Sequence, residues 1–135
     1  MVVKTFNAET VRLDEVIEFI DEQLEQAYCP MKTQMQLDVA AEEIFVNVAH
    51  YAYHPDIGEV EIKVEITENP KAAVITFSDS GKPFNPLEKP DPDITLSAEE
   101  RKIGGLGIFM VKKTMDSVKY EFSEGKNCLT IEKKF

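Results

Sequence analysis

Residues Glu59–Thr67, EVEIKVEIT, alternate without a break between apolar and polar side chains, and no other stretch narrows the fold as much. Side chains of a strand point to opposite faces in turn, so Val60, Ile62, Val64 and Ile66 share one covered side while the other side is wet. Glu68, Asn69, Pro70 and Lys71 then supply a turn, and residues 72–77, AAVITF, are more continuously apolar. The two runs read as a hairpin. A sheet apolar on one face needs something to cover it.

The rest of the chain supplies the cover. Residues 2–6 read as a short strand. From residue 10 a helix is expected, with Leu13, Val16, Ile17, Ile20, Leu24 and Ala27 on one face and Asp14, Glu18, Asp21, Glu22 and Glu25 on the other, ended by Cys29-Pro30. A second helix is expected over residues 33–53, with Thr33 and Gln36 as a capping box and Pro55 beyond its end. Leu37, Ala41, Ile44 and Val48 form one apolar stripe, with Val39, Val46 and Tyr53 roughly opposite, so this helix is expected to be largely buried. Methionines at helical spacing, Met31 and Met35 among them, are expected in the core. A third helix is read over residues 105–115, with Lys112 and Lys113 near its end, where they suit the helix dipole. Strands at 118–122 and 128–135 close the chain as a hairpin around residues 124–127. The order β-α-α-β-β-loop-α-β-β predicts an α+β fold: a two-layer sandwich with helices on one face of a mixed, mostly antiparallel sheet.

At 135 residues, 43% hydrophobic and 30% charged, the chain is expected to form one domain over residues 1–135 with a core of its own. No apolar run approaches the roughly 20 residues of a membrane span, and the amino terminus lacks a signal-peptide core. Cys29 and Cys128 stand far apart in no metal or redox spacing, so they are expected as reduced thiols in a cytoplasmic protein. A net charge of −10 argues against nucleic acid or an anionic membrane as the ligand. The first thirty residues hold seven acids against Lys4 and Arg12, hence −5, half of that total. Such a face keeps a protein in solution or docks a basic partner.

Three short motifs carry chemistry. Glu43 and Asn47 lie at i and i+4, so a carboxylate and an amide project side by side from the second helix. A Mg²⁺ ion takes oxygen ligands and keeps several waters, so one amide oxygen plus phosphates makes a site. A carboxylate beside it can deprotonate an attacking hydroxyl. Asp79-Ser80-Gly81 ends the second strand of the hairpin, where the acid can accept from an exocyclic amine and Gly81 permits close approach. Gly104-Gly105-Leu106-Gly107 opens the third helix, a place where backbone N–H groups bind phosphate. Between the last two lie residues 82–103, which hold Pro83, Pro86, Pro90 and Pro92 and are long enough to be functional. His50 and His54 leave a metal-dependent hydrolase as a further reading, although no HExxH is present.

Together these motifs resemble the GHKL, or Bergerat-fold, ATPases, and among them most closely the small bacterial anti-sigma-factor serine-protein kinases, over nearly the whole chain. E-x-x-x-N falls on Glu43 and Asn47, D-x-G on Asp79 and Gly81 within DSGKPFNP, and G-x-G on Gly105 and Gly107. The resemblance implies a histidine-kinase-like ATPase fold that binds ATP and Mg²⁺. It implies Glu43 as general base, Asn47 as the Mg²⁺ ligand, Asp79 and Gly81 at adenine, Gly104, Gly105, Leu106 and Gly107 around the phosphates, and residues 82–103 as an ATP lid. Thr130 would help hold adenine through water. The family often carries a basic residue two places before the first glycine of G-x-G; here that place is Ile103, with Arg101 and Lys102 just upstream as the lid cations. The implied function is an anti-sigma factor that phosphorylates an anti-anti-sigma antagonist protein and sequesters a sigma factor, as a homodimer. The alternative is a nucleotide-dependent interaction module with little or no kinase activity.

Overall fold

The computed structural model describes residues 1–53, 56–88 and 105–135. Strand β1 is Val2–Asn7, helix α1 Leu13–Gln26, helix α2 Met31–Asn47, strand β2 Glu59–Thr67, strand β3 Ala72–Asp79, helix α3 Gly105–Thr114, strand β4 Ser117–Ser123 and strand β5 Lys126–Lys134. The five strands form one sheet in the order β1-β2-β3-β5-β4. Every described pairing is antiparallel, so the crossover through α3 adds no parallel pair. It carries β4 to the sheet edge, and β5 returns between β4 and β3.

The alternation of β2 sets the layers. Val60, Ile62 and Val64 point into the core with Ala73, Ile75 and Phe77 of β3 and Leu129 and Ile131 of β5. Against that surface pack Val16, Phe19, Ile20 and Leu24 of α1, Leu37, Ala41, Ile44 and Phe45 of α2, and Val111 of α3. The helices therefore cover one face, as expected for α+β.

Two expectations about α2 are corrected. It begins at Met31, behind Pro30, with no side-chain cap, so Thr33 and Gln36 lie inside it and form no capping box. Proline at the position before the first turn stops the preceding chain without a cap. The second apolar stripe is buried only in part: Val39 is 61% exposed, and with it Met35 at 60% and Met31, whereas Val46 is half-buried and Tyr53 packs against the core. Only one side of α2 meets the sheet; the opposite side forms an apolar groove with Met110 and Val111 of α3. Past Asn47 the helix widens into a π-helical turn, Val48–Ala52, a local insertion that often marks a functional site.

The link from α1 to α2 stores a local cost. The amides of Tyr28 and Cys29 donate to the carbonyls of Glu25 and Leu24 and close the end of α1. This puts Tyr28 at φ 60 with its side chain 87% exposed. A β-carbon is disfavoured in that left-handed conformation, which glycine adopts freely. The Lys71 ammonium, 6.0 Å from the Tyr28 ring, offsets only part of the cost. Tyr28→Gly is therefore expected to stabilise the fold by about 0.5–1 kcal/mol, read as a higher urea midpoint with an unchanged m-value.

Helices α1 and α2 also press two acids together. Asp21 Oδ1 and Asp38 Oδ1 are buried and have no hydrogen-bond partner among the described residues. Burial pushes the Asp38 carboxyl up to about 8, a proton shared with the Asp21 side chain adds to the rise, and the Asp21 and Glu25 charges add further. The folded chain thus holds a proton that the unfolded chain releases near pH 4. The stability this contributes is complete below that value and is lost as pH rises toward 8. Asp38→Asn keeps an N–H in place of the proton. Its melting temperature is expected to equal or exceed that of wild type, by a margin that widens from pH 5 to pH 8; a constant margin would refute the shared proton.

Candidate functional site

A cleft opens between the sheet and the end of α2. Phe77 and Leu129 of the sheet and Ile44 and Val48 of the α2 side line it, with Tyr51 and Phe84 also on its wall. The Tyr51 and Phe84 rings stand 6.3 Å apart and tilted by 38°. Beside these apolar groups the wall carries polar side chains, Asn47, Asp79, Lys82 and Asn127 among them.

Asp79 stands on the helix face because β3 alternates Ile75, Phe77, Asp79 inward. It is 6% exposed. Its Oδ1 accepts the Gly81 N–H at 2.9 Å and the Asn127 amide at 2.9 Å. Its Oδ2 makes no hydrogen bond among the described residues. A carboxylate so arranged can accept a donor from a ligand in the slot. Gly81 is required for a second reason: a β-carbon there would overlap the Ala52 backbone, against which the turn is tied by the Lys82 N–H donating to the Ala52 carbonyl at 2.9 Å. Tyr53 adds a further tie, donating to the Glu59 carbonyl at 2.6 Å and accepting the Ser80 N–H at 2.8 Å.

Glu43 and Asn47 project from α2 one turn apart, and Asn47 Nδ2 donates to Glu43 Oε1 across 3.5 Å. Among the described residues Asn47 Oδ1 carries no hydrogen bond, and Asn47 lines the cleft that Asp79 also lines. An amide oxygen left open beside a carboxylate fits a hard cation that brings its remaining oxygen ligands with it. Gly107, in the first turn of α3, lies so close to Glu43 that a β-carbon would overlap the carboxylate. The glycine lets α3 begin against the acid of α2. Glu43, Asn47, Asp79, Gly81 and Gly107 are thus brought to one region.

Other expectations fare differently. Gly105 starts α3. Gly104, Arg101, Lys102 and His54, the part of residues 82–103 beyond Glu88, and the side chain of Leu106 lie outside the described residues. Thr130 is not in the cleft. β5 turns Asn127, Leu129 and Ile131 toward the helices, which leaves Thr130 on the opposite face, its hydroxyl 3.1 Å from that of Thr76. The position paired with Asp79 is Asn127. Asn127 is 6% exposed, and besides Asp79 its Nδ2 donates to the Lys82 carbonyl at 2.8 Å. Its Oδ1 accepts the Phe84 N–H at 3.1 Å and the Tyr120 hydroxyl. Burial, with Asp79 and Glu88 nearby, raises the Tyr120 phenol, which keeps it a donor. Reading Asn127 as a turn residue hid it. The turn proper is Glu124-Gly125, at φ 54 and 78, and two such residues suffice to reverse a hairpin.

Among the described residues no group of three or more His, Cys, Asp or Glu is placed to hold a metal, and no helix is long and apolar enough to cross a membrane. Cys29 and Cys128 are free.

Comparison with known proteins agrees with this fold. Serine-protein kinase RsbW of Bacillus thuringiensis (strain Al Hakam) is 28% identical over 95 residues, covering 69% of this chain and 59% of the relative. The same name, identity and coverage hold for proteins of Bacillus cereus (strain 03BB102) and Bacillus anthracis. The matched stretch therefore spans less than two thirds of those relatives. The profile of the histidine kinase-like ATPase domain matches residues 6–133, and the chain belongs to that family.

Proposed function

We propose that the cleft binds ATP, with the base end against Asp79 and the phosphate end toward Asn47, Glu43 and Gly107, and that the chain is an anti-sigma regulator with serine-protein kinase activity. The observation that carries this reading is that Asn47 and Asp79, 32 positions apart in the sequence, line one apolar slot, and that Oδ1 of the first and Oδ2 of the second take no hydrogen bond from the described residues. Family membership supports ATP as the nucleotide. Mg²⁺ fits the open amide oxygen of Asn47 and would neutralise phosphate charge there. Residues 82–103 would close over the phosphates as the lid, with Arg101 and Lys102 as its cations.

In this reading Glu43 takes the proton of a serine hydroxyl as that oxygen bonds to the γ-phosphorus and the bond to the β-phosphate oxygen breaks, releasing ADP. The Gly104-Gly105-Leu106-Gly107 segment offers N–H groups to the phosphates. The phosphorylated protein would be an anti-anti-sigma antagonist, and the sequestered one a sigma factor. The chain would act as a homodimer through exposed Val2 and Val3 of edge strand β1 and the acidic face of α1. A second reading, a nucleotide-dependent interaction module with little transfer activity, is favoured by Ile103 where relatives often carry a cation.

Thermal unfolding with ATP, ADP and GTP, with and without Mg²⁺, tests the shared premise. A ligand at about 100 times its dissociation constant is expected to add about 2.7 kcal/mol. Unchanged melting with every adenine nucleotide would end both readings.

A further inference from the structure

We propose that Asn127 selects the nucleobase by holding Asp79 as a one-oxygen acceptor, an inference that rests on the nucleotide reading above. The amide's orientation is forced by its neighbours. Nδ2 faces a carboxylate and the Lys82 carbonyl, which only accept, while Oδ1 faces the Phe84 N–H, which only donates. Turning the amide over would set acceptor against acceptor and donor against donor. The Tyr120 hydroxyl then has to donate to Oδ1, which completes the side chain's capacity of two hydrogens given and two received.

Two consequences follow for a base in the slot. Asp79 Oδ1 is fully engaged by Gly81 and Asn127, so the carboxylate cannot swing, and Oδ2 is the atom left for a ligand. As a carboxylate oxygen, Oδ2 receives an exocyclic amine and repels a ring carbonyl. The same amide ties down Lys82 and Phe84, both part of the cleft wall. One side chain therefore sets the polarity of the base contact and the position of the wall beside it. Among residues of this size only an amide gives two hydrogens and receives two.

Asn127 is a positioning residue, and its effect should be visible in a ratio. Adenosine and inosine diphosphates differ at the 6-position, an amine in one and a carbonyl in the other. Wild type is expected to bind ADP about tenfold or more tightly than IDP, because a mismatched buried polar edge leaves its group unpaired. In Asn127→Asp the new carboxylate confronts Asp79 Oδ1 and the Lys82 carbonyl with no hydrogen between them. The pair must take up a proton, as paired acids do, and that proton, carried on Asp79 Oδ2 instead of between the two groups, can be offered to a ring carbonyl. Titration calorimetry at pH 6 is expected to show the ADP-to-IDP ratio collapse to within about threefold, with both ligands weakening as pH rises and the proton leaves. Should that variant fail to fold, Asn127→Leu frees Asp79 to rotate and is expected to lower the ratio as well. Variants that weaken ADP and IDP by an equal factor overturn the proposal and leave Asn127 as scaffold. A wild type that binds ADP without preferring it to IDP also overturns it while nucleotide binding stands. A wild type that binds neither refutes the nucleotide reading and this inference together.

Discussion

Asp79→Asn is expected to weaken adenine-nucleotide binding by about two to four orders of magnitude while leaving the fold intact. The fold survives because the amide oxygen can still accept the Gly81 N–H and the Asn127 amide, both of which now go to Oδ1. Binding does not, because the group turned to the slot becomes an N–H₂ facing the amine of the base. A lost hydrogen bond to a charged group costs about 1.5–3 kcal/mol, and an unsatisfied buried donor about 1–3 kcal/mol more. Calorimetry with ADP measures the loss, and circular dichroism or melting without ligand checks the fold. Binding of ADP by the variant at wild-type strength would move the base away from Asp79 and remove the premise on which the site is built.

What could be read in the sequence, and what could not, follows from the range of each interaction. Periodicity reports a residue's immediate environment, so β2, β3 and the inner faces of α1 and α2 were legible: their apolar side chains recur at the spacing of the element that buries them. Val39, Met31 and Met35 misled because helical spacing reveals a stripe without revealing whether anything covers it. The motifs Glu43 with Asn47 and Asp79 with Gly81 were legible as local pairs. Their meeting in one cleft depends on how α2 lies over β3, a tertiary fact that spacing alone does not contain.

Asn127 and Thr130 show the same limit at finer scale. One face of a strand differs from the other by a single residue, so placing β5 correctly depends on where its turn ends. Extending the turn through residue 127 took Asn127 out of the strand, and likeness to relatives favoured Thr130, a hydroxyl on the wrong face. Counting back from Ile131 and Leu129 in steps of two reaches Asn127, and Phe77 leads to Asp79 in the same way. The register of β3 with β5 pairs those two ends. The signal was present, but it required the sheet order β3-β5, which skips a strand in sequence.

Glu43→Gln is expected to lower the rate of phosphate transfer to a serine by about 10²–10⁴-fold while ATP affinity changes by less than about twofold. The substitution keeps shape, which matters because Gly107 leaves no room beside this side chain. It also keeps an acceptor for Asn47 Nδ2 at Oε1, so the amide oxygen of Asn47 stays turned to the same side. What disappears is the capacity to take a proton, and that loss is felt only as the hydroxyl attacks. Single-turnover transfer from labelled ATP to an antagonist protein, beside calorimetry with ATP, separates the two quantities. A variant as fast as wild type would exclude Glu43 as the base. A wild type that binds ATP yet labels no serine, with Glu43→Gln indistinguishable from it, would instead make the carboxylate a structural partner of α3. The chain would then be a nucleotide-dependent binding module, with Ile103 in the lid cation's place.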